Sequence, residues 1–263
     1  MSNEQNILIR EDNNNICNLI LNRPKAHNAL SFELLTEIYN ELKKIKADKK
    51  IRVLIISANG PSFCSGHDLR EINSNNNKQS YTKLFNLCSD VMLSLINLSI
   101  PVIASVHSTA TAAGCQLVAT CDLAIASKNA RFATPGVNIG LFCSTPMVAL
   151  SRNISKKNSM EMLLTGDMID ANVAKEYGLI NKVVPESELE NTVLEISNKI
   201  LQKSSQTIAI GKNAFYKQLE LGISDAYKLT SSVMANNMAG YNAQEGVKAF
   251  LDKRKPNWQD WRY

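Results

Sequence analysis

The sequence predicts an α/β protein in which short buried strands alternate with amphipathic helices, followed by a mostly helical last third. The apolar runs 53–58 and 101–106 have the length of strands covered on both faces. Segment 32–47 instead repeats its apolar residues at helical spacing, and that spacing dominates from Thr145 onward. The 263 residues, 44% of them hydrophobic, suffice for one large domain or two small ones.

Local signals in chain order place the individual strands and helices. The Asn-rich segment 13–15 is typical of a turn between two strands, and Ser31 is a suitable N-cap for a helix that begins at Phe32. A loop is expected over 59–69, and Pro256 ends the last helix. Strands are expected at 7–10, 16–21, 52–57, 101–106 and 122–126, and helices at 32–47, 83–98, 188–203, 207–218, 225–238 and 244–253.

Composition and charge argue against several classes of function. The net charge of +5 is scattered, with its densest cluster at 253–255, so nucleic acid is not an expected partner. No apolar run reaches the ~18–20 residues that cross a bilayer, so no membrane association is expected. The six cysteines form no CxxC pair and the three histidines lack ligand spacing, which predicts reduced thiols and no metal site. Residues 1–12 lack a signal or transit pattern, and a cytoplasmic location is therefore expected.

Two loops rich in small residues are candidates for a binding site. Loop 63–69 (FCSGHDL) follows a predicted strand, and loop 110–117 (ATAAGCQL) precedes an apolar helical segment. Small side chains let backbone N–H groups approach a ligand, and the first turn of a helix leaves its N–H groups unpaired. Two such groups aimed at one oxygen would form an oxyanion hole. By itself, however, each loop is more often a simple turn.

Taken together, the motifs resemble the crotonase (enoyl-CoA hydratase/isomerase) superfamily over nearly the whole chain. The matching segments are 23–30 (RPKAHNAL), 63–69, 112–117, 121–126 (CDLAIA), 132–135 (FATP) and 250–256 (FLDKRKP). The pattern is most similar to the subgroup called enoyl-CoA hydratase domain-containing protein 3. The resemblance implies a spiral of ββα repeats over 1–195, which binds acyl-CoA. It also implies a helical region at 196–263 that serves oligomerisation and covers the active site, with assembly as trimers or dimers of trimers.

The resemblance also implies a CoA thioester as substrate or ligand, with no further cofactor, in lyase-type chemistry of fatty-acid metabolism. The thioester carbonyl would lie between the backbone N–H groups of His67 and Ala113. Lys25, Ala26, His27, Asp68 and Leu69 match the region that contacts the nucleotide and pantetheine. The other substrate-binding positions are Gly66, Gly114, Pro135 and Cys143.

Two positions depart from the pattern of the hydratases. In those enzymes two glutamates hold the water that adds to the enoyl group, whereas the matching residues here are Gln116 and Gly136. Neither side chain exchanges protons near neutral pH, and no Asp or Glu lies between Asp122 and Glu161. General acid–base catalysis, typically worth ~10²–10⁴ in rate, is therefore not supplied at these positions.

Several alternatives stay open from the sequence. The His67 imidazole could take part in acid–base chemistry or could only accompany its backbone N–H. Cys143, Ser144 and Cys115 could be reactive, or they could only shape an apolar pocket. The protein as a whole could be an acyl-CoA enzyme of weak or different activity, a noncatalytic acyl-CoA-binding or regulatory protein, or a scaffold for a macromolecular partner.

Overall fold

The computed structural model describes residues 6–259, which form two sheets surrounded by helices. The strands are β1 (Leu8–Asn13), β2 (Ile16–Leu21), β3 (Val53–Ala58), β4 (Ser62–Cys64), β5 (Val102–Val106), β6 (Thr109–Thr111), β7 (Leu123–Ser127), β8 (Arg131–Ala133), β9 (Ile169–Asp170) and β10 (Lys182–Val184). The helices are α1 (Phe32–Ala47), α2 (Leu69–Ser74), α3 (Lys78–Ile96), α4 (Ala113–Thr120), α5 (Ser144–Asn153), α6 (Lys156–Thr165), α7 (Ala171–Tyr177), α8 (Leu189–Leu201), α9 (Ser205–Leu219), α10 (Ile223–Ala239) and α11 (Tyr241–Leu251).

The two sheets are built by a repeated unit of two strands and a helix. The first sheet has the order β1-β2-β3-β5-β7-β10 and the second the order β4-β6-β8-β9. The successive pairs β3–β4, β5–β6 and β7–β8 each give one strand to each sheet, and a helix follows each pair. Neighbouring strands from different repeats run parallel, as a spiral requires. The predicted α/β class and the spiral of ββα repeats are confirmed.

The first sheet is buried on both faces, which explains its continuous apolar strands. Leu54, Ile56 and Ala104 face the main core, while Ile55 and Ile103 face a smaller cluster completed by α8. Side chains alternate between the faces of a strand, so both faces of a central strand must be apolar here. The second sheet is small, and its strands end at the loops of interest.

Helix α1 and the first hairpin form as local chemistry predicts. Ser31 Oγ accepts a hydrogen bond from the Leu34 N–H, 3.2 Å away, and this caps α1 at the predicted residue. Asn14 and Asn15 have φ angles of 47° and 66°, and residue 13 pairs with residue 16 across the turn. Asparagine tolerates positive φ, which makes this two-residue hairpin favourable.

Five short strands and one helix were not predicted from the sequence. The expected loop 59–69 contains β4, and α2 begins at its end. Strands β6 and β8 lie in segments where no strand was expected, and β9 and β10 interrupt the expected helical region after Thr145. These strands have two or three residues, too few for alternation to be visible, and their partners are distant in the sequence. Long-range pairing therefore decided their conformation.

Helix α9 is joined to the core by a largely buried ion pair. Lys212 Nζ in α9 lies 2.7 Å from Asp122 Oδ2 and donates to the carbonyl oxygens of Leu95 and Ile100. Tyr216 donates to the other Asp122 oxygen at 2.8 Å. Ile100 precedes β5 and Asp122 precedes β7, so α9 meets the amino ends of these two strands. The division of the chain at 195 and the roles of the two parts stay predictions.

The described residues contain neither a membrane-spanning helix nor a cluster of metal ligands. No helix within 6–259 is long and apolar enough to cross a membrane. Over the same residues there is no group of three or more His, Cys, Asp or Glu side chains suited to a metal ion. All six cysteines are buried and free, as the sequence indicated.

Candidate active site

Four loops meet at the carboxyl ends of the short strands, and they contain the residues singled out from the sequence. Loop 23–30 lies beside loop 62–68, because the Leu30 N–H donates to the Gly66 oxygen at 2.7 Å and the Ser65 N–H donates to the His27 oxygen at 3.1 Å. Loop 62–68 contacts the start of α4, and α4 is joined to loop 133–143 by a hydrogen bond from the Ala112 N–H to the Ala133 oxygen at 2.9 Å.

Loop 62–68 and the start of α4 approach more closely than ordinary side chains permit. A Cβ added to Gly114 would lie 2.1 Å from the Cys64 oxygen. A Cβ on Gly66, whose φ is +94°, would lie 2.8 Å from the Ala112 Cβ and 3.3 Å from the Ala113 nitrogen. Glycine is required at both positions, because any Cβ would separate the two loops.

The two backbone donors predicted for a thioester oxygen are available in this arrangement. Within residues 6–259, no protein acceptor pairs with the N–H of His67 or of Ala113. Ala113 is the first residue of α4, where helix geometry leaves the N–H free. His67 pairs with Leu30 through its flanking residues, so its own N–H points away from that partner. Their use as an oxyanion hole stays a prediction.

Ala112, the residue before the second donor, has a strained backbone. Its φ is 50° and its ψ is −119°, a region that glycine enters freely and residues with a Cβ rarely adopt. Nothing in the amino-acid sequence indicates strain at this alanine. The strain is maintained by the Ala112–Ala133 hydrogen bond and by the Thr111 hydroxyl, which donates to the Ser65 oxygen at 3.1 Å.

The His67 imidazole is buried beside this site. Its ring packs edge-on against Phe85 of α3, with 5.2 Å between ring centroids. Both ring nitrogens are buried, and neither has a hydrogen-bond partner among residues 6–259. Burial lowers the pKa of His67 from 6.5 to about 4, although the Leu30 carbonyl, outside hydrogen-bonding geometry, acts in the opposite direction. The ring is therefore neutral at pH 7.

The residues expected near the nucleotide and pantetheine lie at the outer side of the same loops. Lys25, His27 and Leu69 are exposed, and Ala26 is partly buried. His27 Nδ1 lies 2.9 Å from Ser62 Oγ, which fixes the ring against loop 62–68. Contact of these residues with a nucleotide or pantetheine stays a prediction.

Asp68 has a clear structural role in these loops. Its carboxylate caps α2 through the N–H groups of Arg70 and Glu71 and pairs with Arg23 at 3.0 Å. Burial would raise the pKa of Asp68, but the hydrogen bond from Arg23 and the N–H of Glu71 lower it on balance. The carboxylate is thus ionised and already engaged.

Two anchoring residues in loop 23–30 were missed from the sequence. Asn28 is fully buried at a φ of 53°, and its amide donates to the oxygens of Asn59 and Ser62, each at 2.8 Å. Arg23 bridges the Asp68 carboxylate and the Ala29 carbonyl. A buried asparagine at positive φ is the kind of residue that holds a loop, but only the fold reveals that Asn28 is buried.

The two positions matched to catalytic glutamates are both enclosed. Gln116 is buried in α4, and its Oε1 has no hydrogen-bond partner within the described residues. Gly136 lies in the short 3-10 helix that begins at Pro135, beneath Leu141 and Cys143. Burial raises the pKa of the Cys143 thiol, partly offset by the nearby N–H of Gly136. Cys143 is therefore a neutral thiol at pH 7.

Comparison with known proteins places this geometry in one family. The sequence model of the enoyl-CoA hydratase/isomerase family matches residues 11–261. The mitochondrial enoyl-CoA hydratase domain-containing protein 3 of Xenopus laevis is 46% identical over 252 residues, covering 96% of this chain and 86% of the relative. The chain therefore belongs to the enoyl-CoA hydratase/isomerase family, and the resemblance drawn from the motifs is confirmed.

Two crystal structures are similar over nearly their whole length. An enoyl-CoA hydratase from Mycobacterium smegmatis has a TM-score of 0.95 and 46% identity, covering 97% of this chain and 99% of that one. The human enoyl-CoA hydratase domain-containing protein 3 has a TM-score of 0.93 and 46% identity, covering 96% of this chain and 100% of that one.

The predicted cytoplasmic location is contradicted by this comparison. The relatives from Xenopus laevis, rat, mouse and human are all named mitochondrial. The prediction rested on the composition of residues 1–12, which says nothing of the compartment in which the folded chain works. Buried, free cysteines are compatible with either compartment.

Replacing Ala112 with glycine tests the strain at the second donor. We expect Ala112→Gly to raise the melting temperature, because relief of ~1–3 kcal/mol of strain exceeds the ~0.5–1 kcal/mol cost of glycine in the unfolded chain. Calorimetry measures the melting temperature. The control is Ala214→Gly in the middle of α9, where we expect the free energy of unfolding to fall by ~1 kcal/mol. If both glycine variants lose the same stability, the backbone at Ala112 is not strained.

The buried His67 ring predicts a pH dependence of stability. Because its folded pKa of about 4 lies below the ordinary 6.5, the unfolded chain takes up the proton first as the pH falls. The neutral His67 ring makes its full contribution to the free energy of unfolding above about pH 6.5. As the pH falls toward 4, up to ~3 kcal/mol of this contribution is lost. Urea unfolding between pH 4 and 8 measures this loss. The free energy of unfolding should fall less steeply with decreasing pH in His67→Gln than in the wild type, whereas the control His107→Gln should keep the wild-type slope. A wild-type slope in His67→Gln would disprove a buried neutral ring.

Proposed function

We propose that this protein binds an acyl-CoA thioester, with the thioester carbonyl between the N–H groups of His67 and Ala113. The observation that carries the proposal is the close approach of Gly66 and Gly114 to the opposite loop, which brings two unpaired donors to one place. Preorganised donors stabilise negative charge on a thioester oxygen without rearranging. The family of the chain and its likeness to solved enoyl-CoA hydratases support the same ligand class.

The chain does not supply the acid–base groups of standard hydration. Gln116 carries an amide, Gly136 has no side chain, and Asp68 is ionised and held by Arg23. The His67 ring and the Cys143 thiol are neutral, and both are buried. We infer that addition of water to an enoyl thioester is slower than in hydratases by ~10²–10⁴ for each missing carboxylate.

A second candidate function is noncatalytic binding or regulation by acyl-CoA. It is favoured by the same observation, since a pair of donors surrounded by neutral groups holds a thioester without transforming it. The names of the vertebrate relatives support a mitochondrial setting for either function.

Self-association is part of the proposal. Large apolar side chains on α9, α10 and α11 are exposed in the single chain, among them Phe215, Ile223, Met234 and Phe250. Such a surface is typical of an interface between subunits. Because α9 meets the amino ends of the strands, cover of a site by this region would come from another copy, as in a trimer or a dimer of trimers.

A ligand comparison tests the role of the two donors without altering the protein. Butyryl-CoA should bind ~10–100-fold more tightly than the thioether analogue that lacks the carbonyl oxygen, because two hydrogen bonds of ~1 kcal/mol or more are lost. Titration calorimetry gives both affinities, with free CoA as the control for the nucleotide part. Equal affinities for thioester and thioether would contradict the proposed carbonyl site.

The same preparation distinguishes enzyme from binder. We expect crotonyl-CoA hydration to fall orders of magnitude below that of a hydratase with both glutamates. A panel of enoyl-, 3-hydroxyacyl- and malonyl-type thioesters then separates the two functions, because turnover of any member makes the protein an enzyme. Hydration of crotonyl-CoA at the rate of ordinary hydratases would contradict the assignment of Gln116 and Gly136.

A further inference from the structure

The space at Gly136 is occupied by the chain that follows it. A Cβ built on Gly136 would lie 2.1 Å from the Leu141 oxygen and 2.8 Å from Cys143 Sγ. Both distances are far inside van der Waals contact, and the nearer atom belongs to the backbone. Gly136 is not in the left-handed region, so the restriction comes from space alone. Neighbouring atoms of Leu141 and Cys143 occupy the space that a side chain at position 136 would need.

The covering segment 137–143 is held in place from inside. The Leu141 N–H donates to the Gly136 oxygen at 2.9 Å, and Gly140 closes the turn at a φ of +75°. The Met147 N–H donates to the Cys143 carbonyl oxygen at 3.0 Å, and this bond joins the segment to the first turn of α5. The segment therefore folds back on Gly136 as a closed loop.

The same segment is held from outside by the end of α6. A Cβ on Gly166 would lie 3.0 Å from Val137 Cγ2 and 3.1 Å from the Pro135 Cα. The chain at Pro135 and Val137 is thus pressed between α6 and the returning Leu141. Because the nearer colliding atom is a backbone oxygen, a side chain at position 136 would require segment 137–143 to move away from Gly136.

We propose that Gly136 and Cys143 form a fixed wall of the acyl site that excludes a carboxylate. Loss of the second glutamate is then built into the packing, and substitution at position 136 alone does not reverse it. The wall fits thioesters that are held without addition of water. This inference rests on the proposed function for its ligand class, whereas the wall itself rests on the packing around Gly136.

Paired glycine substitutions test the wall directly. Gly136→Ala should lower the melting temperature by ~5 °C or more, because the new methyl overlaps a backbone oxygen. The matched control is Gly211→Ala in α9, where nothing lies within 4 Å of the added Cβ and the melting temperature should stay or rise. Failure of Gly136→Ala alone to fold would also support the wall, and equal melting temperatures in the two variants would overturn it.

A coupled variant shows whether Cys143 is part of the wall. Cys143→Gly should lower the melting temperature of the wild type but raise that of Gly136→Ala, since it removes one of the two colliding atoms. If Cys143→Gly lowers the melting temperature in both backgrounds, Cys143 is not part of the wall.

Restoring the carboxylates tests the consequence for chemistry. If the wall is fixed, Gln116→Glu with Gly136→Glu raises crotonyl-CoA hydration less than ~10-fold, whereas a merely vacant position would gain ~10²–10⁴. A gain of that larger size overturns the wall.

The two proposals can fail separately. Wild-type protein that does not bind butyryl-CoA overturns the proposed function, and the melting temperatures still decide the wall. Protein that binds butyryl-CoA while Gly136→Ala keeps the wild-type melting temperature overturns the wall alone.

Discussion

The close approach of α4 to the end of β4 is the constraint on which the site depends. Gly114 lies so near the Cys64 carbonyl that no other residue fits, and Gly66 meets Ala112 and Ala113 in the same way. We propose that this contact brings the N–H of Ala113 and the N–H of His67 toward one ligand oxygen. Because α4 also follows β6, whose partners are β4 and β8, the spiral of the two sheets determines where these two residues lie. The proposed site is thus built from backbone groups, which are present whatever side chains stand at positions 67 and 113.

Two of the groups beside these donors are uncharged at neutral pH. Burial lowers the pKa of His67 and raises the pKa of the Cys143 thiol, while the Asp68 carboxylate is ionised and held by Arg23. Hydrogen bonds are stronger in surroundings of low dielectric constant than in water, so we expect a donor pair beside buried neutral groups to interact strongly with an oxygen. Gln116 and Gly136 add no carboxylate, which is why we propose binding of a thioester without standard hydration.

Local patterns predicted the α/β class and helix α1, whereas the spiral of ββα repeats was predicted from the resemblance to the crotonase superfamily. Helix α1 begins and ends at the predicted residues, since Ser31 and the apolar spacing of 34–45 act within a few turns. The loops 63–69 and 110–117 were found through their small residues, which backbone packing demands. The sequence could not reveal that Gly136 lies under Leu141 and Cys143, or that the His67 ring is sealed against Phe85, because these contacts join segments whose approach the tertiary fold decides. The strands β4, β6, β8, β9 and β10 were missed for the same reason.

We propose that a thioester carbonyl is held by two backbone donors with no carboxylate beside the acyl group. A crystal structure with bound butyryl-CoA measures this arrangement most directly. We expect the carbonyl oxygen within ~3.2 Å of the nitrogens of both His67 and Ala113, and no Asp or Glu oxygen within ~3.2 Å of the acyl Cα or Cβ. A carbonyl bound away from these nitrogens, or a carboxylate in contact with the acyl carbons, would contradict it.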